Sequence, residues 1–393
     1  MGEAVEEMKP FLLVTGDFVK TGGMDHCNYS LAKHLADRGT ETHLVAHRID
    51  RDLAEHPNVR FHRVFKPLNS YFLGGPLISI RGRVEAARVA NSGGRVVVNG
   101  GNCLWPDVNW VHHLHTKYKP AVASGPLRRL KAEVEFKAAV VSERKALTRA
   151  RLLIATSASI KRELTAAYQV PEKLIHVVGL GIDAAKFRMP APDERAAARA
   201  ALALIAERGA VVFVGAVGDR RKGFDTLYAA WKMLCKDPDW DADLIVIGAG
   251  SELAAWKGNA IADGLGERIR FLGFNPAAGF VAKVLRACDV MVSPTRYEGY
   301  GLAIQEAVCM GLPAIVSAIA PVTERFEGQL AELMLRDPES VEDLVDRLHL
   351  WRSRRAKFQA ETATLSCRLR QWSWEDMAAR IAEIVDSNPG ISL

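Results

Sequence analysis

Short runs of β-branched and aliphatic residues alternate along this chain with stretches whose apolar positions recur every three to four residues, and that alternation leaves few architectures open. Successive parallel strands need a crossover long enough to hold a helix, so the pattern implies parallel sheets covered by helices on both faces. Residues 11–15 read as a buried first strand and 16–24 as a glycine-containing loop, with Leu31, Ala32, Leu35 and Ala36 forming the inner face of a helix that stops at Gly39. Residues 42–46, 95–99, 108–112 and 152–156 are further strands. Residues 127–149 form one long helix or two joined ones, and 157–168 another.

After a strand at 175–178 the sequence loosens around Gly179, Gly181, Pro190 and Pro192, and the domain junction is placed there. The opening plan then repeats: a strand at 211–214, a loop at 215–223 and a helix at 224–234, followed by strands at 244–248, 269–272, 290–293 and 314–317 and helices at 280–287, 303–310 and 341–351. With 49% hydrophobic residues over 393 positions, two cores are expected rather than one. The expected domains are 1–185 and 186–372, and a final segment, 373–393, carries Met377, Ala378, Ile381 and Ile384 at helical spacing.

Every apolar run is interrupted well short of the roughly 20 residues a bilayer span requires. The first ten residues carry charges and no apolar signal segment, so a cytoplasmic protein is expected. Six scattered cysteines fit reduced core thiols better than a disulfide framework or a metal site. The net charge of +6 favours anionic partners. Nucleic acid is not among them, because the basic residues are dispersed and no zinc-finger or RNA-binding spacing occurs.

The densest chemistry lies between Ser293 and Pro313, where a strand ends in a turn, Gly299 and Gly301 open the backbone, and a helix begins between Glu298 and Glu306. Glycines let main-chain N–H groups approach a ligand, and the positive end of the helix favours an anion such as a diphosphate. Glu306, further along, is placed to accept hydrogen bonds from ribose hydroxyls. A dehydrogenase is disfavoured: the stretch from Gly248 to Leu253 lacks the third glycine of a dinucleotide fingerprint and follows the second strand of its domain.

The two glutamates separated by seven residues resemble the E-x7-E signature of the family 4 glycosyltransferases, and the resemblance extends over nearly the whole chain. It is carried as well by the loop from Thr21 to Met24, the run from Val111 to Thr116, the Gly179 to Asp183 segment, the Arg220 to Leu227 loop and the Arg270 to Gly273 strand. The resemblance implies the GT-B fold, two Rossmann-like doubly wound domains facing across a cleft, with the C-terminal helix crossing back onto the first. It also implies retaining transfer from a nucleotide diphosphate sugar, UDP- or GDP-linked, to a glycan, lipid-linked or small-molecule hydroxyl, with neither metal nor other cofactor.

By the same resemblance Glu298, His115 and Lys222 are the catalytic candidates. Gly22, Gly23, Arg220, Arg221, Lys222, Gly299, Tyr300, Gly301, Leu302 and Glu306 are the donor-binding ones. The family's Gly-Arg opening is here Gly215-Ala216, and Arg220 or Arg221 takes the arginine's place. The main chain of 270–273 meets the base edge or is an ordinary strand, and His112 and His113 are read as structural. Basic clusters at Arg128, Arg129 and Lys131 and at Arg352, Arg354, Arg355 and Lys357 read as solvated helix faces, with weak association with an anionic membrane surface, at its inner face, as the second reading. A non-enzymatic sugar-nucleotide-binding subunit and a GT-B-like epimerase are the alternative functions.

Overall fold

The computed structural model describes residues 9–119, 126–275, 277 and 279–388. The chain divides into two compact units, Met1–Gly181 with Trp374–Leu393, and Ile182–Ser373. Among the described residues no helix is long and apolar enough to cross a membrane.

In the first unit the elements run β1 (Phe11–Val14), β2 (Asp17–Phe18), α1 (Gly23–Asp37), β3 (Thr42–Ala46), β4 (Arg48–Ile49), α2 (Arg51–Ala54), β5 (Val59–Arg63), α3 (Tyr71–Asn91), β6 (Arg95–Asn99), β7 (Val108–Val111), α4 (Pro126–Leu147), β8 (Leu152–Ala155), α5 (Ala158–Tyr168) and β9 (Ile175–Val177). The main sheet is parallel throughout, in the order β5-β3-β1-β6-β7-β8-β9. Covering helices explain why strands such as β1 (Phe-Leu-Leu-Val) and β6 are buried at every position instead of alternating. Ser157 caps α5 by accepting the Ile160 N–H, and Gln169 ends it in the left-handed conformation.

The second unit contains α6 (Pro192–Ala201), β10 (Gly209–Val214), α7 (Phe224–Leu234), β11 (Ala242–Ile247), α8 (Leu253–Ala262), β12 (Ile269–Gly273), α9 (Phe280–Ala287), β13 (Val290–Ser293), α10 (Leu302–Cys309), β14 (Ala314–Ser317), β15 (Met334–Leu335), α11 (Val341–Ser353) and α12 (Arg355–Leu369). Its sheet, also parallel, runs β12-β11-β10-β13-β14-β15. Where β13 begins, the buried Asp289 carboxylate gathers Arg195 at 2.5 Å, Arg199 at 3.4 Å, Arg355 and the Ala210 N–H at 2.7 Å, tying α6 and α12 to the sheet.

The last helix, α13 (Trp374–Ser387), belongs to the first unit and packs its Met377, Ala378, Ile381 and Val385 face against α1. An ion pair from Arg38 to Asp386 (2.9 Å) and a hydrogen bond between His34 Nδ1 and Glu375 (2.6 Å) flank the contact. Arg95 donates to the carbonyls of Val385 and Asn388.

Five helices have no counterpart in the expectations drawn from the sequence: α2, α3, α6, α8 and α12. For α3 the cause is visible. Gly74, Gly75, Pro76 and Gly82 interrupt any helical reading, and glycine and alanine share the inner face with Ile78 and Val89 while Leu73, Leu77, Ile80 and Val84 lie outside, so the apolar residues do not single out one face.

Candidate functional site

In both sheets the strand order reverses once, and a crevice at the carboxyl ends of the strands opens at such a reversal. In the second unit the reversal falls between β10 and β13, from which the loops carrying Lys222 and Glu298 emerge.

The loop after β10 is shaped by Asp219. Its carboxylate accepts the Arg221 N–H (3.0 Å) and Arg221 Nε (3.1 Å), starting the short 3₁₀ turn 220–222. Gly223 then closes that turn and opens α7 at φ 72°, where a Cβ would lie 1.9 Å from the Pro294 carbonyl oxygen, so only glycine lets the two loops meet. The loop after β13 is fastened to the first one. Thr295, fully buried, donates within reach of the Arg221 carbonyl (2.9 Å), the Arg296 N–H donates to that carbonyl at 2.7 Å, and the Arg296 guanidinium holds Asp225 at 2.8 Å.

This lacing brings the expected residues together. Lys222 Nζ donates to Glu298 Oε2 at 2.5 Å, and Arg221 Nη1 lies 3.6 Å from Glu298 Oε1. All three side chains are largely buried, at 19%, 14% and 29% exposure for Lys222, Glu298 and Arg221. Arg220 is turned elsewhere, to Asp225 at 2.9 Å. Of the two arginines named for the place that Ala216 leaves open, Arg221 is the one at Glu298.

Gly301, at φ 103°, starts α10, whose first turn leaves N–H groups without intrahelical acceptors. Tyr300 is buried and donates to Gln305 Oε1 at 2.5 Å, so its role is to brace the turn. Glu306 lies on α10 among Asp183 and Lys186. Burial pushes its carboxyl up to about 7; Lys186 pulls the other way and Asp183 adds to the rise. A carboxyl balanced between its two forms near neutrality can accept from a hydroxyl or donate to one.

In the first unit the reversal falls between β1 and β6. Gly22, at φ 89°, caps α1, and Gly23 is the first residue of that helix. Beside them Asp25 is pushed up to about 6, by burial and then by the neighbouring Asp17. His115 follows β7, with its Nδ1 2.7 Å from Glu143 Oε2. Glu143 also receives the His115 N–H, at 3.1 Å, and the Tyr168 hydroxyl. The buried carboxylate thus fixes the orientation of the ring. His112 is buried against Trp110, and burial, with His113 adding, takes it down to about 3, so it stays neutral.

Asp219, Thr295, Arg296, Glu143 and Tyr168 escaped the sequence reading. Asp219 carried a signal, as an Asp just before a turn. Glu143 lies 28 residues from His115 and carried none.

The chain was then compared with known proteins. Residues 21–186 match the family described as Glycosyltransferase Family 4, and residues 208–350 match Glycosyl transferases group 1. The chain belongs to the family 4-type glycosyltransferases. D-inositol 3-phosphate glycosyltransferase of Thermobispora bispora is 27% identical to this glycosyltransferase, covering 94% of this chain and 90% of its own. Among solved structures, WaaG, a glycosyltransferase involved in lipopolysaccharide biosynthesis, superposes with a TM-score of 0.76 at 17% identity, covering 96% of this chain and all of its own. Anabaena HepE in complex with UDP and glucose does so at 0.72 and 19%, covering 97% and 100%. The fold is therefore GT-B.

Proposed function

We propose that this glycosyltransferase moves a sugar from a nucleotide diphosphate donor, UDP- or GDP-linked, to an acceptor hydroxyl with retention at the anomeric carbon. The observation that carries the reading is the buried group of Arg221, Lys222 and Glu298 beside the start of α10. As the glycosidic bond breaks, negative charge grows on the leaving diphosphate and positive charge on the sugar. Lys222, Arg221 and the first amides of α10 stabilise the former without the reorganisation that water would need. Glu298, which holds Lys222 in place, is the carboxylate nearest the developing positive charge. Glu306 receives the ribose hydroxyls, and His115 in the first unit, its ring oriented by Glu143, serves the transferred sugar.

Two cationic side chains supply the charge that a metal ion supplies in other transferases, so transfer is proposed to need none. HepE, crystallised with UDP and glucose, supports a uridine donor as the first to try. The name of the Thermobispora relative makes an inositol phosphate the first acceptor.

A thermal-shift screen of nucleoside diphosphates and their sugars tests the donor, since a ligand present at 100 times its Kd raises stability by about 2.7 kcal/mol. Lys222→Ala should lower kcat by about 10²- to 10³-fold, the cost of losing one stabilising group in a preorganised site. The wild-type rate should be the same in EDTA. Full activity in Lys222→Ala, or a shift with NAD and none with any sugar nucleotide, would overturn the proposal.

A further inference from the structure

The two loops that meet at Gly223 carry four cations, and each of the four already has a carboxylate. Arg220 pairs with Asp225 at 2.9 Å, Arg296 with Asp225 at 2.8 Å and Glu339 at 2.9 Å, Arg221 with Asp219 at 3.1 Å, and Lys222 with Glu298 at 2.5 Å. Four positive side chains thus stand against Asp219, Asp225, Glu298 and Glu339, and these eight groups together carry no net charge. A diphosphate that settles among them must take a cation away from a carboxylate, because a buried anion left unpaired costs more than its other contacts return.

Which carboxylate gives way follows from what else each of them holds. Asp219 also accepts the Arg221 N–H at 3.0 Å and starts the 3₁₀ turn at 220–222, so moving it would undo the loop. Asp225, in the first turn of α7, is gripped by Arg220 and Arg296 together and fastens the second loop to the first. Glu339 is 68% exposed and meets Arg296 from outside the two loops. Glu298 is placed differently. Its oxygens go to Lys222 and, at 3.6 Å, to Arg221, and neither contact shapes a turn or caps a helix. The carboxylate is largely buried, so its charge is weakly screened and weighs fully on whatever else approaches the two cations.

Lys222 is built to change partners. Its stem lies along Gly215, where a Cβ would come 3.3 Å from Lys222 Cγ, and only its ammonium is committed to Glu298. An ammonium on a flexible stem is a point charge with rotatable donors, and it can turn to a new anion while the backbone stays where it is.

We propose that Glu298 holds the place of the donor's diphosphate until the donor arrives: the phosphates take Lys222 and Arg221 from it, and the freed carboxylate turns to the sugar. The inference rests on the donor reading above and adds a selection step to it. Breaking the pair is a cost that every ligand of these cations meets, and only a ligand bringing enough negative charge repays it. A nucleoside leaves the pair closed and a diphosphate opens it. Glu298 is therefore released in the one complex where a sugar is waiting to be transferred.

The test is calorimetric titration of the full chain with UDP and with GDP, each beside its nucleoside. Glu298→Gln keeps the side chain's size and removes its charge, so the diphosphate that the wild type binds should bind the variant at least about tenfold tighter. Nucleoside affinity should stay the same, and transfer should fall. Glu339→Gln removes an equal charge from the same surroundings without touching Lys222, and should alter diphosphate affinity by less than about twofold, as screening of an exposed group requires. The stoichiometry of each titration counts the folded fraction, so a variant that folds poorly is still read. Equal or weaker diphosphate binding by Glu298→Gln overturns the exchange while leaving the donor reading standing, since the wild type still binds. Equal gains in Glu298→Gln and Glu339→Gln overturn it too, by showing a general effect of charge. If neither wild type nor variant binds UDP or GDP, the donor reading fails and this inference with it.

Discussion

Glu306, half-buried on α10, shows how a single carboxyl can make stability, and under the proposed function binding, depend on pH. Its folded pKa of about 7 lies above the ordinary 4.5, so the folded protein holds a proton there that the unfolded chain has already lost. The favourable term is complete below pH 4.5 and fades as the pH rises through 7, at most on the order of 3 kcal/mol, so unliganded stability should fall with rising pH across that window. Asp25, raised from 3.8 to about 6, contributes in the same direction. Ribose hydroxyls donate best to the charged carboxylate, so donor affinity should rise as the pH is taken from 6 to 8. Glu306→Gln should flatten that rise and remove its share of the stability slope; calorimetric titration of a nucleoside diphosphate at several pH values, beside denaturation curves, reads both. An unchanged slope in the variant would mean that another group titrates. Glu298 and Glu306 were legible in the sequence because their spacing and the glycines between them state a geometry. The partners that orient the site, Glu143 for His115 and Arg296 for the Lys222 loop, lie far along the chain or across a loop pair, where no local pattern marks them.

Helices and strands were legible where burial follows the expected period and obscure where another demand overrides it. The inner strands of both sheets, such as β1, β6, β10 and β13, read directly as apolar runs, whereas the edge strands β5 and β15 did not. By contrast α3 was illegible because close approach to the sheet put glycines on its inner face, and α12 because Thr362 and Ser366 break up the inward stripe of Phe358, Leu365 and Leu369. A related feature is the arginine cluster at the start of β13. Three guanidinium groups and one backbone amide share the Asp289 carboxylate, which is 2% exposed. Removing one partner of a buried ionic group leaves the rest uncompensated, which typically costs 3–5 kcal/mol. Asp289→Ala should therefore lower the stability of the second unit by about that amount in urea denaturation, with nucleotide binding retained in the fraction still folded. A loss under about 1 kcal/mol would show the cluster to be open enough for water to replace the carboxylate.

At the scale of the molecule, the repeated strand, loop and helix opening announced two parallel-sheet units, and the sheet orders bear this out. What no periodicity revealed was strand order, which depends on contacts between residues far apart in sequence. That order, with its reversal between β10 and β13, places the loops carrying Lys222 and Glu298 side by side. The first unit also depends on α13 for a large apolar contact with α1. Ile381, fully buried in that contact, should cost about 2–5 kcal/mol when replaced by alanine. Hydrogen exchange of the first unit's amides would register it, and exchange in β10 to β15 should be unaffected if each unit unfolds by itself.

Because α13 follows the entire second unit in the chain, synthesis and assembly run in different orders. The residues of the first unit up to Gly181 must wait, with the α1 face uncovered, while the ribosome makes everything from Ile182 to Ser373, a stretch that can complete its own sheet first. The half that is translated earlier is thus the half that finishes later, and a product stalled before α13 would present a folded second unit attached to an open, adhesive first one.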